Sequence, residues 1–151
     1  MDQQPAKLVI VAGMFNQSLV EAMIETATAE ARAGGAEVLR VDRVSGCYEI
    51  PLIAAVEIAR PEVDAVAVLG YIERGETLHG EVMGHVVSDA LVRLQIEHRK
   101  PIGLGIIGPG ATAEQAEVRK VGAARAAVRA ALTSLAVLRG LVVDGSPEAP
   151  R

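Results

Sequence analysis

The chain has 151 residues, a formal net charge of −4, and 50% hydrophobic residues with only three aromatic ones, Phe15, Tyr48 and Tyr71. This length fits one domain with an aliphatic core, and the mildly acidic composition without basic runs excludes nucleic acid as the main partner. The single cysteine, Cys47, excludes a disulfide framework, and no apolar run approaches the roughly 18–20 residues of a membrane span.

Short apolar segments rich in β-branched residues alternate with segments in which apolar residues recur at helical spacing. In chain order these patterns predict a strand over 7–12, a helix over 17–33, a strand over 37–44, a helix over 52–59, a strand over 65–69, a helix over 79–99, a strand over 102–107 and a helix over 113–138.

The segments between these elements are rich in glycine, proline and polar residues. They predict loops over 45–49 and 70–78, a turn at 108–110, and a kink or break of the last helix at Gly122. The Gly- and Pro-rich end of the chain, 144–151, is predicted to be a flexible tail.

Strands that alternate with helices predict a parallel sheet covered on both faces. With right-handed connections, this is an α/β fold, a three-layer α/β/α sandwich of the flavodoxin-like kind, with a central four-stranded parallel sheet in a single domain over residues 1–143. Because the first residues do not resemble a signal peptide, we expect a cytoplasmic protein with no membrane partner.

In such folds, ligands bind just beyond the carboxyl ends of the strands. All three aromatic residues fall in the predicted strand-end loops: Phe15 after the first strand, Tyr48 after the second and Tyr71 after the third. Rings at one edge of a sheet can stack on a flat heterocycle, and they can equally serve loop or subunit packing.

The segment 74–79, which spans the end of the third predicted loop and the start of the next helix, holds the most side chains and backbone groups suited to binding or catalysis. Gly75 lets the backbone approach a ligand closely, and the N–H groups of 75–77 precede a helix, so they can bind a phosphate together with the Thr77 hydroxyl. His79 carries an imidazole, a side-chain group that generally suits proton transfer near neutral pH. The structural alternative is a helix start capped by Thr77, with acidic residues stabilising the helix dipole.

Three other patterns are rejected as sites. The G-x-G-x-x-G match at 103–108 lies inside a predicted strand, where glycines serve close packing rather than dinucleotide binding. His79 and His85 are six residues apart and face different ways on a helix, which excludes a metal site there. Cys47 has no assigned base, so a nucleophilic role is unsupported.

Four ordered motifs, within 7–138, resemble lumazine synthase (6,7-dimethyl-8-ribityllumazine synthase), an enzyme family of riboflavin biosynthesis. Phe15-Asn16 resembles the family's RFN segment, and 46–51 (GCYEIP) resembles PGAFEIP. Residues 69–79 resemble LGxVIRGETPH, and 114–119 (EQAEVR) resembles EQAxxR.

The resemblance implies a transferase that needs no cofactor or metal and condenses 5-amino-6-ribitylaminouracil with 3,4-dihydroxy-2-butanone 4-phosphate. It implies a homo-oligomer, a pentamer or an icosahedral shell of pentamers, with sites between neighbours. It assigns proton transfer to His79 and phosphate binding to Arg119 of a neighbouring subunit as the catalytic pair. The implied substrate-binding residues are Phe15, Asn16, Tyr48, Glu49, Ile72, Glu73, Gly75, Glu76, Thr77 and Leu104.

The sequence departs from the family pattern in the pocket and in the linker that follows Arg119. Glu73 stands where the family has an apolar residue, and Leu104 stands where some members have an aromatic ring. The linker is shorter, and its substrate-binding lysine has no clear counterpart, although Lys120 or Arg125 can substitute for it.

Two other functions therefore remain open beside the active enzyme. One is a divergent homologue of weak or no activity that serves as a shell or scaffold or binds another ligand. The other, suggested by the fold alone, is a flavodoxin-like binder of flavin or nucleotide.

Overall fold

The computed structural model describes residues 4–143, so the tail predicted at 144–151 lies outside the described residues. Four strands alternate with four helices, and a 3₁₀ turn at Cys47–Glu49 precedes the second helix. The strands are β1 (Lys7–Gly13), β2 (Glu37–Val44), β3 (Ala65–Glu73) and β4 (Ile102–Ala111). The helices are α1 (Gln17–Ala33), α2 (Ile50–Ile58), α3 (His79–His98) and α4 (Ala113–Val143).

The strands form one parallel sheet in the order β2-β1-β3-β4, with helices on both faces. Along β1, Leu8 and Ile10 belong to the core under α1 and α4, whereas Val9 and Val11 belong to the core under α2 and α3. Both faces of the strand are thus buried, which explains its unbroken apolar run. The predicted three-layer, flavodoxin-like sandwich with four parallel strands is confirmed.

Strand β3 is longer than predicted. It continues past residue 69 to Glu73, because Gly70 and Tyr71 pair with Ile106 and Ile107 of β4. The predicted loop over 70–78 is therefore wrong at its start, and only 74–78 connects β3 to α3. Tyr71 lies within a strand and is 2% exposed, so it is a core residue rather than a loop residue.

The turn predicted at 108–110 is also wrong, because these residues lie within β4. They form an irregularity in the strand: Tyr71 pairs with Ile107, and the next pair joins Glu73 to Ala111. Gly108 has a φ of +92°, and a Cβ at this position would overlap the carbonyl oxygen of Ile72. Only glycine suits this backbone, so the Gly-Pro-Gly sequence here makes a bulge.

Helix α4 runs through Gly122 without the predicted break. It lies close to β4, where a Cβ at Gly103 would overlap the carbonyl oxygen of Ala127, and one at Gly105 would lie 3.0 Å from the Cβ of Ala127. Close packing is therefore the role of the glycines in the G-x-G-x-x-G match, as predicted.

By length and composition, one helix among residues 4–143 is apolar enough to cross a membrane, namely α4 over Ala113–Leu141. Its charged residues include Arg125 and Arg129, which pair with Glu30 of α1 at 3.7 and 2.6 Å. Core helices of other proteins meet the same criterion, and α4 packs on β4 and α1. Only 28% of its most apolar window is buried, so much of its apolar surface lies outside the core of this chain.

Candidate active site

A cavity of about 480 Å³ opens at the carboxyl ends of β1, β2 and β3, the edge at which parallel sheets bind ligands. Each strand contributes through the segment that follows it: Phe15 after β1, the 3₁₀ turn after β2, and the loop 74–78 after β3. The first turn of α3 closes the cavity with His79.

The structure brings together eight of the twelve residues predicted from the sequence. These residues line the cavity: Phe15, Tyr48, Glu49, Ile72, Glu73, Gly75, Thr77 and His79. Six further residues that were not predicted as site residues also line it, namely Ser45, Gly46, Cys47, Tyr71, Gly80 and Met83. Helical spacing is a signal for Met83, because it lies four residues after His79 and so on the same face of α3.

The other four predicted residues do not line this cavity. Asn16 precedes α1 in a left-handed conformation, and Glu76 is exposed in the loop 74–78. Leu104 lines a separate cavity of about 60 Å³ between β4 and α3. Arg119 is exposed on α4. Their predicted contacts with substrate stay predictions, and Arg119 was expected to act from a neighbouring subunit.

Two aromatic contacts shape the cavity. The ring of Tyr48 meets the imidazole of His79 edge-on, with centroids 5.7 Å apart. The ring of Phe15 lies 6.1 Å from that of Tyr71 at an interplanar angle of 41°. Phe15 and Tyr48 are 50% and 42% exposed, so both rings present a free surface to the cavity. Such rings can hold a flat, partly polar heterocycle.

The loop 74–78 offers free hydrogen-bond donors before α3. Within residues 4–143, the N–H groups of Gly75, Glu76 and Thr77 donate to no backbone carbonyl. The hydroxyl of Thr77 accepts a hydrogen bond from the N–H of His79 at 3.3 Å. The N-cap of α3 is Leu78, which makes no side-chain cap hydrogen bond, so Thr77 is not the N-cap that was predicted as the structural alternative. This hydrogen bond does not use the N–H groups of Gly75 and Glu76, so the loop can bind an anion just before a helix N-terminus.

Burial raises the pKa of two polar groups beneath the cavity, the Cys47 thiol and the Tyr71 phenol. It raises the pKa of the Cys47 thiol to about 11, so the side chain is a neutral thiol near neutral pH and not a nucleophile. Burial, with help from nearby Glu73 and Glu114, also raises the pKa of the Tyr71 phenol. The phenol is therefore a donor, and its Oη donates to the carbonyl oxygen of Ala111 at 2.9 Å.

A metal-binding arrangement of three or more His, Cys, Asp or Glu side chains is absent from residues 4–143. His85 faces Glu81 at 3.8 Å, and both side chains are exposed on the outer face of α3.

Comparisons with known proteins agree with this architecture. A model of the family described as 6,7-dimethyl-8-ribityllumazine synthase matches residues 5–139. Of the relatives that carry this same name, the one from Metallosphaera sedula is 37% identical over 146 residues, 97% of each chain. The one from Staphylothermus marinus is 42% identical over 125 residues, 83% of each chain. The one from Aeropyrum pernix is 43% identical over 127 residues, 83% of this chain and 86% of that protein.

The family match spans every strand and most of α4, including all the residues that line the cavity. The resemblance inferred from four short motifs thus extends over residues 5–139, nearly all of the described fold. The chain belongs to the 6,7-dimethyl-8-ribityllumazine synthase family.

Proposed function

We propose that this protein is a 6,7-dimethyl-8-ribityllumazine synthase, a transferase of riboflavin biosynthesis, which joins 5-amino-6-ribitylaminouracil to 3,4-dihydroxy-2-butanone 4-phosphate. One observation carries the proposal: in a member of this family, two exposed rings, an imidazole and a loop with free N–H groups line the same cavity. The cavity thus offers adjacent binding sites for a heterocycle and a phosphate, next to a group that can transfer protons.

The reaction needs proton transfers more than it needs a strong nucleophile. The 5-amino group attacks the ketone, and loss of one water gives a Schiff base. Inorganic phosphate then leaves, and the ribitylamino nitrogen closes the second ring with loss of another water. Imidazole is the side-chain group best suited to general acid–base catalysis, and within the described part of the chain His79 supplies the one imidazole in the cavity lining, so we assign these transfers to it. Much of the rate enhancement comes from holding the two substrates together.

Phe15 and Tyr48 hold the pyrimidine between their exposed faces, with Glu49 beside the ribityl chain. The backbone of 75–77 and the Thr77 hydroxyl hold the phosphate. Arg119 of a neighbouring subunit adds charge-assisted hydrogen bonds to it. This last assignment is supported by the exposure of Arg119 outside the cavity of its own chain.

A site shared between subunits requires a homo-oligomer, and we propose a pentamer or a shell of pentamers. Large apolar side chains are exposed on α2, α3 and α4, and a partner subunit can bury them. They include Leu52, Val56, Val82, Val86, Val118 and Val137. Size-exclusion chromatography with light scattering tests the assembly, and a monomer at micromolar concentration would contradict it.

A second candidate is favoured by Glu73, whose side chain lines the cavity. A carboxylate there can oppose the phosphate, as expected for a homologue of weak or no activity that serves as a shell or binds another ligand.

Incubation of the purified protein with both substrates separates the two candidates, because the lumazine product is detected by its absorbance and fluorescence. We expect product. Protein that binds both substrates but forms no product would overturn the proposed activity and favour the second candidate.

A further inference from the structure

Tyr71 stands at the unspecified position of the motif-like segment 69–79, so the family resemblance assigns it no role, yet it contacts Phe15 in the cavity wall and Ala111 at the end of β4. Its ring lies against Phe15, with centroids 6.1 Å apart. Its hydroxyl donates to the carbonyl oxygen of Ala111 at 2.9 Å. Since the side chain is 2% exposed, it acts through these neighbours and offers little surface to a ligand.

The carbonyl oxygen of Ala111 accepts a second hydrogen bond, from the N–H of Arg74 at 2.9 Å. Arg74 is the first residue of the loop 74–78. The Tyr71 hydroxyl and the start of the proposed phosphate loop therefore share one acceptor, and a carbonyl oxygen has two lone pairs for two such donors.

This shared acceptor lies at the far end of the bulge in β4. The β3–β4 ladder is interrupted between the Tyr71–Ile107 pair and the Glu73–Ala111 pair. The two hydrogen bonds to Ala111 rejoin the strands beyond the bulge. Without the hydroxyl, the end of β4 and the loop beside it lose one of the bonds that fix them to β3.

We propose that Tyr71 is a positioning residue that couples the two substrate subsites, through its ring to the pyrimidine side and through its hydroxyl to the phosphate side. The identity of the two substrates rests on the proposed function. The coupling itself rests on the ring contact and on the shared acceptor.

The ring and the hydroxyl can be separated by substitution. Tyr71→Phe keeps the ring that supports Phe15 and removes the hydrogen bond to Ala111. We expect binding of the phosphate substrate to weaken about fivefold, as befits loss of one buried hydrogen bond, while pyrimidine binding changes less than about twofold. Tyr71→Leu also removes the ring, so we expect both substrates to bind about fivefold more weakly.

Equilibrium titration of each substrate alone measures the two dissociation constants without turnover. Steady-state kinetics on the same variants separates KM from kcat, and for Tyr71→Phe we expect KM of the phosphate substrate to rise while kcat stays within about twofold. Ile10→Val is the matched control, because Ile10 is fully buried in the same core and lies outside the cavity. It lowers stability by a comparable amount without contacting either subsite.

Unchanged phosphate-substrate affinity in Tyr71→Phe would overturn the proposal. So would equal weakening of both substrates in Tyr71→Phe and in Ile10→Val, because that result marks a general loss of stability. Should the wild type bind both substrates without forming product, the proposed function fails, and the two affinities of Tyr71→Phe still decide the role of Tyr71. Should Tyr71→Leu not fold, Tyr71→Met, which keeps a large apolar side chain without a ring, replaces it as the test of the ring.

Discussion

The ring of Tyr48 meets the imidazole of His79 edge-on, with centroids 5.7 Å apart and an interplanar angle of 62°. The two residues come from different parts of the chain, the 3₁₀ turn after β2 and the first turn of α3. Their contact brings the proposed proton carrier next to the proposed pyrimidine subsite. An amine held on Tyr48 is therefore within reach of a group that can exchange protons with it.

We expect His79→Ala to lower kcat by about 100-fold, because a positioned general acid–base group contributes about that much or more. Substrate affinities should change little, since binding rests on the rings and on the loop. The measurement is the initial rate of product fluorescence at saturating substrates. His85→Ala is the matched control, because His85 is on the same helix but outside the cavity. Equal rates for His79→Ala and wild type would contradict the assignment.

Arg119→Met should raise KM for the phosphate substrate, because in the proposed shared site it removes the guanidinium from a phosphate bound to a neighbouring subunit. Co-expression with His79→Ala tests the sharing directly. The assay uses a concentration of the phosphate substrate far below the KM of Arg119→Met, so that each variant alone is weak. Random mixing gives about one complete site in four, so about a quarter of wild-type activity should return. If the mixed assembly is no more active than the separate variants, Arg119 does not act across a subunit boundary.

Glu73→Ile tests whether the carboxylate of Glu73 binds the pyrimidine substrate or impairs the site. If Glu73 accepts hydrogen bonds from the N–H groups of the pyrimidine, its loss should raise KM for that substrate by about fivefold and leave kcat within about twofold. Glu73→Gln, which keeps an acceptor oxygen, should give a smaller change. A large rise in kcat for Glu73→Ile would mean that the carboxylate impairs the site, and it would favour the homologue of weak activity.

Cys47 should resist alkylation in the folded protein. Burial raises the pKa of its thiol from 9.0 to about 11, so only about 1% is thiolate at pH 9, against about half for a free thiol. Iodoacetamide should therefore react roughly 50-fold more slowly than with the unfolded chain, and the rate should rise about tenfold per pH unit until pH approaches 11. Mass spectrometry gives the rates, and Cys47 is the only cysteine, so the signal has a single source. Rapid alkylation at pH 8 would show that the thiol is accessible.

Much of the fold was predictable because neighbouring residues in the sequence mark the start and end of most helices and strands. The bounds of α1 and β2 match the prediction residue for residue, since glycines and apolar spacing mark where these elements begin and end. The residues that follow the strands could likewise be assigned to one edge of the sheet, where the cavity lies, because the carboxyl ends of parallel strands meet at the same edge.

The ends of β3 and β4 could not be predicted, because they depend on pairing between residues about 35 apart in sequence. Gly70 and Tyr71 look like the start of a loop until Ile106 and Ile107 lie beside them. Gly108-Pro109-Gly110 looks like a turn and instead forms a bulge, which only the neighbouring carbonyl of Ile72 explains. The third aromatic ring was consequently expected at the loop edge of the cavity, whereas it is buried beneath Phe15.

The absence of a side chain at Gly103 affects the site from a distance. Helix α4 rests against this glycine at Ala127, eight residues beyond Arg119, or roughly 12 Å along the helix axis. A methyl group at position 103 would force the helix outwards, and a rotation of about 5° about that contact would move Arg119 by about 1 Å. If Arg119 serves a neighbouring subunit, as proposed, the accuracy with which its guanidinium is presented thus depends on a hydrogen atom in an edge strand of the sheet.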